Sequence, residues 1–262
     1  MYGFALITGA TSGIGEAFAR TLPSETGLLL TGRDGARLAE LAAALGNAGR
    51  SVETLAVDLA RDAGRTALVE RAAALPIDLL INNAGLGALG PLAENDAARE
   101  REMVEVNVVA PLVLTRALLP DMLARAQNGG PRAGVILVAS TAAFIPLPYM
   151  STYAATKAFD LYLAEGLAGE LKKEPVDVLA LCPGATRTRF FERAGMSARM
   201  VGKAESPERV AREGLAALGR RSLHVVGGQN RAFSLLAGRM PRAIMLDATR
   251  SFMRRGWKRY AR

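Results

Sequence analysis

Short apolar runs alternate along the chain with longer stretches whose apolar residues recur at helical spacing. Because the short runs are hydrophobic rather than alternating in polarity, they predict strands buried on both faces of a parallel sheet. The expected strands are Phe4–Thr8, Leu28–Thr31, Val52–Val57, Leu79–Asn82, Val135–Ser140 and Val178–Leu181. The expected helices are Gly13–Leu22, Ala36–Leu45, Ala63–Leu75, Arg99–Arg125 and Ser151–Lys173. This alternation predicts an α/β fold with a doubly wound parallel sheet of the Rossmann type.

A seventh apolar run, Leu223–Val226, precedes Gly227-Gly228 and a C-terminal stretch of different character. Within Pro241–Tyr260 the apolar residues recur at roughly helical spacing, and basic residues fill the positions between them. The apolar set is Ile244, Leu246, Ala248, Phe252, Met253 and Trp257, and the basic set is Arg250, Arg254, Arg255, Lys258 and Arg259. This pattern predicts a basic amphipathic helix. We therefore expect one α/β domain over 1–228, with a loop at 185–205, and a basic extension over 229–262.

The composition argues against several classes of protein. A length of 262 residues with 50% hydrophobic content is ample for the core of one large domain. The single cysteine, Cys182, and the single histidine, His224, cannot build a disulfide framework or a Cys/His zinc site. No G-x-S-x-G segment could hold the serine of a hydrolase. We expect no metal site, and we interpret Cys182 as a small buried apolar residue and His224 as a strand residue.

The N-terminus lacks the basic and hydrophobic regions of a signal peptide. No run approaches the roughly 18 uninterrupted apolar residues of a spanning helix. A single thiol also suits a reducing compartment. These features predict a soluble cytoplasmic protein.

The net charge of +8 is unevenly distributed. From Pro183 onward the chain has 18 Lys and Arg against 5 Asp and Glu, whereas the first 182 residues have 15 against 20. A basic C-terminal third on an acidic body indicates a surface attracted to phosphate, lipid headgroups or another acidic partner. A solvated basic face is the alternative.

Glycines are concentrated between the first expected strand and the first expected helix. They let the chain turn sharply and let a pyrophosphate approach the backbone, while the helix N-terminus supplies free N–H groups. Glycine turns at this position are also common in α/β proteins that bind no nucleotide. The residues expected to hold a dinucleotide here are Gly9, Thr11, Ser12, Gly13, Ile14 and Gly15.

The end of the second expected strand indicates which dinucleotide is bound. An acidic residue at this place would hold the 2′-hydroxyl of NAD(H), but Gly32 occupies it and Arg33 follows. Since a guanidinium can bind a 2′-phosphate through two hydrogen bonds, NADP(H) is favoured and NAD(H) is the alternative. Asp34 either caps the next helix or repels the phosphate.

Tyr153 and Lys157 lie four residues apart in an expected helix, so their side chains share one face. A free phenol has a pKa of about 10, and a nearby ammonium lowers it. The pair could then donate and accept a proton near neutrality. A Tyr-x-x-x-Lys pair also arises by chance in many amphipathic helices.

The pair is accompanied by further motifs in a fixed order. These are the glycine turn, Asn82-Asn83-Ala84-Gly85 after the fourth strand, Ser140 at the end of the fifth, and Pro183-Gly184 after the sixth. Together they resemble the short-chain dehydrogenase/reductase family, in its branch of compact single-domain enzymes. The resemblance covers about residues 4–228.

The resemblance implies a role for each matching residue. Tyr153 would be the general acid/base, Lys157 would lower its pKa and bind the nicotinamide ribose, and Ser140 would polarise the substrate oxygen. Asn107 would anchor a water that leads from Lys157 to bulk solvent. The further cofactor residues would be Asp58 and Leu59 at the adenine, Asn83, Ala84 and Gly85 in the cleft, and Pro183, Gly184, Thr186 and Thr188 at the carboxamide.

Two segments are expected to line the substrate site. Ala142–Met150 is strongly apolar, and the loop after Gly184 contains Phe190, Phe191 and Met196. An apolar wall with aromatic cover favours a hydrophobic ketone or aldehyde. Two arginines of the same loop, Arg187 and Arg189, could admit a carboxylate or phosphate.

The leading hypothesis is an NADP(H)-dependent oxidoreductase that transfers hydride between the nicotinamide and a carbonyl or secondary alcohol of a small hydrophobic substrate. A dehydratase or epimerase is disfavoured because it usually needs a longer substrate domain. A non-catalytic nucleotide-binding or regulatory protein, or a reductase at a membrane surface, are the alternatives. We expect a homo-oligomer (dimer or tetramer) and no nucleic-acid partner, although the basic tail puts the family's usual tetramer in doubt. Peripheral membrane contact through that tail is a further hypothesis.

Overall fold

Seven parallel strands form one sheet in the computed structural model, which describes residues 2–46, 49–196 and 204–260. The strands are β1 Phe4–Thr8, β2 Gly27–Gly32, β3 Val52–Ala56, β4 Leu79–Asn82, β5 Ala133–Val138, β6 Val176–Cys182 and β7 Leu223–Val225. Their order across the sheet is β3-β2-β1-β4-β5-β6-β7. All seven expected strands are confirmed, with ends that differ by no more than two residues. The doubly wound fold is therefore confirmed.

The helices are more numerous than the sequence pattern predicts. They are α1 Gly13–Thr21, α2 Gly35–Gly46, α3 Asp62–Ala73, α4 Ala97–Val104, α5 Ala110–Gln127, α6 Ser151–Glu170, α7 Phe190–Arg193, α8 Pro207–Ala217, α9 Gly228–Ala237 and α10 Arg242–Tyr260. The helix expected over Arg99–Arg125 is confirmed as the helical run Ala97–Gln127, within which a π-helical turn at Glu105–Val109 divides α4 from α5. The helices α7, α8 and α9 were not predicted. Residues 197–203 of the expected substrate loop, and the side chains of Lys258 and Arg259, lie outside the described residues.

Helices cover the sheet on both faces. On one face Leu68 of α3, Leu114 of α5 and Leu161 of α6 pack over the strands. On the other face Phe18 of α1 and Leu38 of α2 pack over them, together with α8. Successive strand residues alternate between these two cores, which explains why the inner strands are apolar on both faces. The edge strand β3 contains Glu53 and Thr54 and is only partly covered.

The continuous helical run Ala97–Gln127 has a mean hydropathy of 1.5 over its most apolar 18 residues, which by length and composition would allow it to cross a membrane. Leu114, Leu118 and Met122 of this run are buried against the sheet. A helix packed into a protein core meets the same two criteria.

Candidate active site

A cavity of about 450 Å³ opens at the carboxyl ends of the strands. It lies where the strand order reverses between β1 and β4, and ligands of doubly wound sheets bind at this point. The expected cofactor residues that line it are Gly9, Thr11, Ser12, Gly13, Ile14, Arg33, Asp58, Leu59, Asn83, Ala84, Gly85, Pro183, Gly184, Thr186 and Thr188. Ser140, Tyr153 and Lys157 line it as well. Gly15 and Asn107 lie behind its wall.

The glycine turn is packed too closely for side chains. A Cβ atom on Gly15 would lie 2.4 Å from the carbonyl oxygen of Gly9, so only glycine allows α1 to begin here. Gly13 has a φ of +61°, and a Cβ atom there would lie 2.7 Å from Cγ2 of Thr188. The loop after β6 thus lies directly over the turn. The side chain of Ser12 does not cap α1, which leaves the first N–H groups of the helix available to a ligand.

Thr8 connects the glycine turn to the strand beside it. Its Oγ1 accepts hydrogen bonds from the backbone N–H groups of Asn83 and Ala84, both at 2.9 Å. The Asn83 side chain donates in return to the carbonyl oxygen of Thr8 at 2.8 Å. These bonds fix the two loops that form the cleft, at the strand ends where a pyrophosphate and a nicotinamide would lie.

The end of β2 has no acidic group for a ribose. A Cβ atom on Gly32 would lie 2.7 Å from Cγ2 of Thr11, so an acidic side chain would need Thr11 to move. Asp34 accepts the backbone N–H of Arg37 at 3.0 Å, which confirms its interpretation as a cap of α2. Arg33 lines the cavity and donates to Glu102 at 2.9 Å, with half of its side chain exposed.

Further arginines surround this end of the cavity. Arg99 and Arg193 line it, and Arg99 also pairs with Glu102 at 2.8 Å. Burial and then the charges of Arg189, Arg33 and Arg99 lower the pKa of Arg193. Because the guanidinium groups of Arg33, Arg99 and Arg193 outnumber the carboxylates of Glu102 and Asp58, the site has a net positive charge suited to an anionic group.

Tyr153, Ser140 and Lys157 meet at the other end of the cavity. Burial raises the pKa of Tyr153 more than the charge of Lys157 and a hydrogen bond with Ser140 lower it, so its pKa lies above the ordinary value. Ser140 Oγ accepts the N–H of Ala142 at 3.1 Å, so the serine hydroxyl faces Tyr153 as a donor. The expected lowering of the Tyr153 pKa by Lys157 exists, but burial outweighs it.

Lys157 is held by two partners below the cavity floor. Its Nζ donates to the carbonyl oxygen of Val138 at 2.8 Å and to Oδ2 of Asp160 at 2.9 Å. Burial acts to lower the pKa of Lys157, but Asp160 and then Tyr153 raise it above the ordinary value. Asp160 is buried and was not predicted, because its sequence position does not distinguish it from the other acidic residues of α6.

Comparisons with known proteins agree with this geometry. The sequence profile of the short chain dehydrogenase family matches residues 3–197. The chain is a short-chain dehydrogenase. It is 34% identical over 218 residues to an uncharacterized oxidoreductase of Staphylococcus saprophyticus, a match that covers 82% of this chain and 90% of that protein.

Solved structures of other short-chain dehydrogenases are similar over most of the chain. One from Sphingobium yanoikuyae in complex with NADPH is 32% identical, with a TM-score of 0.78, and the match covers 90% of this chain and 93% of that one. A 3-ketoacyl-(acyl-carrier-protein) reductase from Brucella melitensis complexed with NADH is 29% identical, with a TM-score of 0.74, and the match covers 87% and 98%. These relatives support an oxidoreductase that uses a nicotinamide cofactor.

Asn107 of this dehydrogenase lies in the π-helical turn, a type of local geometry that is frequent at functional sites. Its Oδ1 accepts the N–H of Leu86 at 2.8 Å, and its Nδ2 donates to the carbonyl oxygen of Leu86 and to Oγ1 of Thr156, both at 3.0 Å. The side-chain amide therefore fixes the loop after β4 against α6. Its expected role as a water anchor remains a prediction.

The far half of the dehydrogenase cavity is apolar. The ring of Phe190 lies 5.2 Å from that of Tyr153, measured between centroids, and the expected residues Phe191 and Met196 line the wall. The wall also includes Ile145, Leu147 and Met150 from the expected apolar segment, and Phe252 and Met253 from α10. The contribution of α10 was not predicted, because it comes from a part of the chain distant in sequence.

The expectation that Arg187 and Arg189 admit a carboxylate or phosphate into the substrate site is wrong. Arg187 is exposed and donates to the carbonyl oxygen of Ala204, and neither it nor Arg189 lines the cavity. Arg99 and Arg193 are the guanidinium groups that do so, in addition to Arg33.

Cys182 and His224 are buried, as their interpretation requires. Burial raises the pKa of Cys182 to about 12, so its thiol stays protonated. His224 Nε2 pairs with Glu213 at 2.8 Å. Within the described ranges 2–46, 49–196 and 204–260, no group of three or more His, Cys, Asp and Glu residues could hold a metal ion.

Proposed function

We propose that this dehydrogenase uses NADP(H) to interconvert a carbonyl and a secondary alcohol on a predominantly apolar substrate. The observation that carries the proposal is the meeting of Tyr153, Ser140 and Lys157 in one cavity, between a glycine turn and an apolar wall. A non-catalytic nucleotide-binding protein has no need of these three polar side chains together.

The residues present fit a dinucleotide. The close-packed turn at Gly9 and Gly15 has no room for side chains, and the uncapped N-terminus of α1 provides N–H donors for a pyrophosphate. The cofactor, when bound, supplies or accepts the hydride. Asp58 and Leu59 would contact the adenine, and Pro183, Gly184, Thr186 and Thr188 would contact the carboxamide.

The protein's own groups handle the proton. Tyr153 would give its phenolic proton to the carbonyl oxygen during reduction, and a raised pKa keeps that proton in place at neutral pH. Ser140, whose oxygen already accepts a backbone N–H, would donate its proton to the same oxygen. An ammonium has three N–H donors, and Lys157 directs two of them to Val138 and Asp160. The third is free for a ribose hydroxyl.

The preference for NADP(H) is supported at the end of β2. Gly32 cannot be replaced by an acidic residue without moving Thr11, and Asp34 is turned toward α2. Arg33, Arg99 and Arg193 offer more positive charge than Glu102 neutralises. A dianionic 2′-phosphate would balance that charge.

A thermal melt with NADPH, with NADH and without ligand tests the cofactor. A ligand at about a hundred times its dissociation constant adds roughly 2.7 kcal/mol, which corresponds to several degrees for a protein of this size. We expect a larger shift with NADPH. A shift with NADH alone would overturn the NADP(H) preference. Absence of a shift with either cofactor would indicate that the protein does not bind a nicotinamide dinucleotide.

Tyr153→Phe tests the chemistry once a carbonyl substrate has been found by screening. The variant should retain the NADPH-induced shift in melting temperature and lose about 10²–10⁴-fold in turnover. Turnover equal to that of the unsubstituted protein would remove Tyr153 from the reaction.

A further inference from the structure

The C-terminal helices α9 and α10 leave much of their apolar surface in water. Of the ten large hydrophobic side chains that are exposed among the described residues, six belong to these two helices. They are Phe233, Leu235, Leu236, Ile244, Leu246 and Phe252. Single exposed apolar residues are common, but a concentration of this kind marks an interaction surface.

The helix α10 packs on the body of the protein through one narrow row only. Met245 and Met253 are buried, and Thr249 and Trp257 between and beyond them are half-buried, so the row recurs every four residues. A second row, Ile244 and Phe252 with the small Ala248 between them, lies beside it and is exposed. The helix therefore has more apolar surface than the body of the protein covers.

The C-terminal residues 229–262, which include α10 and most of α9, account for the whole net charge of the protein. Residues 229–262 contain nine Lys and Arg and one Asp, a net charge of +8, which equals the net charge of the entire chain. Arg250, Arg254 and Arg255 are exposed, and they form no ion pair within the described part of the chain. The rest of the molecule is neutral overall.

We propose that α9 and α10 dock on the surface of an anionic phospholipid bilayer. Lipid headgroups would pair with the arginines, and the acyl-chain boundary would take the exposed apolar side chains. A second copy of this chain is disfavoured as occupant, because pairing through this region would bring two strongly positive surfaces together. A nucleic acid would pair with the arginines but would leave the apolar row in water.

Docking would also place the cavity beside the bilayer. Phe252 and Met253 of α10 are part of the cavity wall, so the helix that meets the lipid also borders the substrate site. If the proposed function holds, an apolar carbonyl compound dissolved in the bilayer has a short path to Tyr153. Lipid docking itself does not depend on that function.

Flotation with vesicles tests the docking without an activity assay. The full chain is mixed with vesicles of equimolar phosphatidylglycerol and phosphatidylcholine, or with vesicles of phosphatidylcholine alone. We expect the protein to float with the anionic vesicles and to dissociate as salt is raised. Absence of binding to the anionic vesicles at low salt would overturn the proposal.

Paired substitutions separate specific docking from general attraction by charge. Arg250→Glu with Arg254→Glu should weaken vesicle binding at least about tenfold, given roughly 1 kcal/mol for each basic residue at an anionic surface. Leu236→Ser with Ile244→Ser should weaken it while leaving the charge unchanged. The control, Arg220→Glu with Arg221→Glu, makes the same change in charge in the exposed turn before β7, at the opposite end of the sheet, and should retain binding.

Three results would contradict the proposal. An equal loss in the control pair would mean that net charge alone attracts the protein, and full binding by both α9–α10 variants would place the contact elsewhere. A change of molecular mass in the Arg250/Arg254 variant, without a change in vesicle binding, would assign the surface to a second copy of the chain. A cooperative thermal transition at an unchanged melting temperature confirms that each variant is folded.

Discussion

Tyr153 illustrates how two physical effects compete on one side chain. The spacing to Lys157 indicates a lowered pKa, whereas burial of the phenol raises the pKa further than the lysine lowers it. The phenol is therefore a proton donor across the neutral range, which suits carbonyl reduction. Alcohol oxidation needs the phenolate and should become faster as the pH rises.

A difference titration measures this balance. We expect the tyrosinate absorbance that is lost in Tyr153→Phe to develop only above pH about 10, the ordinary value for tyrosine. In Lys157→Met the charge that lowers the pKa is removed, so the titration should move to still higher pH. A difference curve centred near neutrality would show that Lys157 outweighs burial. Circular dichroism at each pH confirms that the protein remains folded.

Arg33 and Glu102 are expected to act in opposite directions on cofactor choice. Arg33→Ala removes a donor to the 2′-phosphate and should weaken NADPH binding at least about tenfold, with little effect on NADH. Glu102→Gln frees Arg33 from its present ion pair and should strengthen NADPH binding. Dissociation constants from cofactor fluorescence provide the measurement. Equal losses for the two cofactors in Arg33→Ala would mean that Arg33 does not bind the 2′-phosphate.

At the scale of an element, the turn into α1 depends on one missing side chain. Gly15→Ala would place a Cβ atom 2.4 Å from a backbone oxygen, so the turn must open and cofactor binding should be lost. Gly166 in α6 is the matched control, because it is exposed in a helix interior with no atom within 4 Å of a Cβ position. Gly166→Ala should stabilise the protein by about 0.5–1 kcal/mol. Urea unfolding and NADPH titration compare the two, and normal cofactor binding in Gly15→Ala would contradict the role given to the turn.

The elements also show what sequence patterns can and cannot predict. The strands were found because residues such as Leu28–Leu30 are buried on both faces and are apolar throughout. Helix α8 was not predicted, although Ser206 caps it, Pro207 opens it and Val210 lies in the core. Part of its contact with Phe18 is made at Gly214, which contributes no apolar side chain to the pattern.

The candidate site was predictable where a motif carries its own chemistry, as with Ser140, Tyr153 and the glycine turn. It was not predictable where the role depends on the fold. Asp160 can hold Lys157 only because the fold buries both side chains together. The direction of the loop after β6 decides that Arg193, rather than Arg187, borders the cavity.

At the scale of the whole molecule, exposed apolar surface is found in two places, and only one of them carries the basic charge. The basic charge lies on α9 and α10, whereas Val104, Leu112 and Tyr162 expose a smaller apolar area on α4, α5 and α6. Those three helices belong to one packed unit, since α6 contacts both α4 and the π-helical turn that leads into α5. This separation lets one face serve self-association while the other stays free.

We therefore expect a homodimer that forms through α4, α5 and α6. Light scattering should give twice the subunit mass, and Leu112→Arg with Tyr162→Arg should give the monomer, because arginines facing each other across a symmetric contact repel. Arg250→Glu with Arg254→Glu should leave the mass unchanged, since α10 lies outside the contact. A mass that falls only in the second variant would place the dimer contact on the C-terminal helices. A dimer contact on these helices would also cover the surface proposed to bind a bilayer. Light scattering and vesicle flotation together therefore decide which helices mediate self-association and which bind lipid.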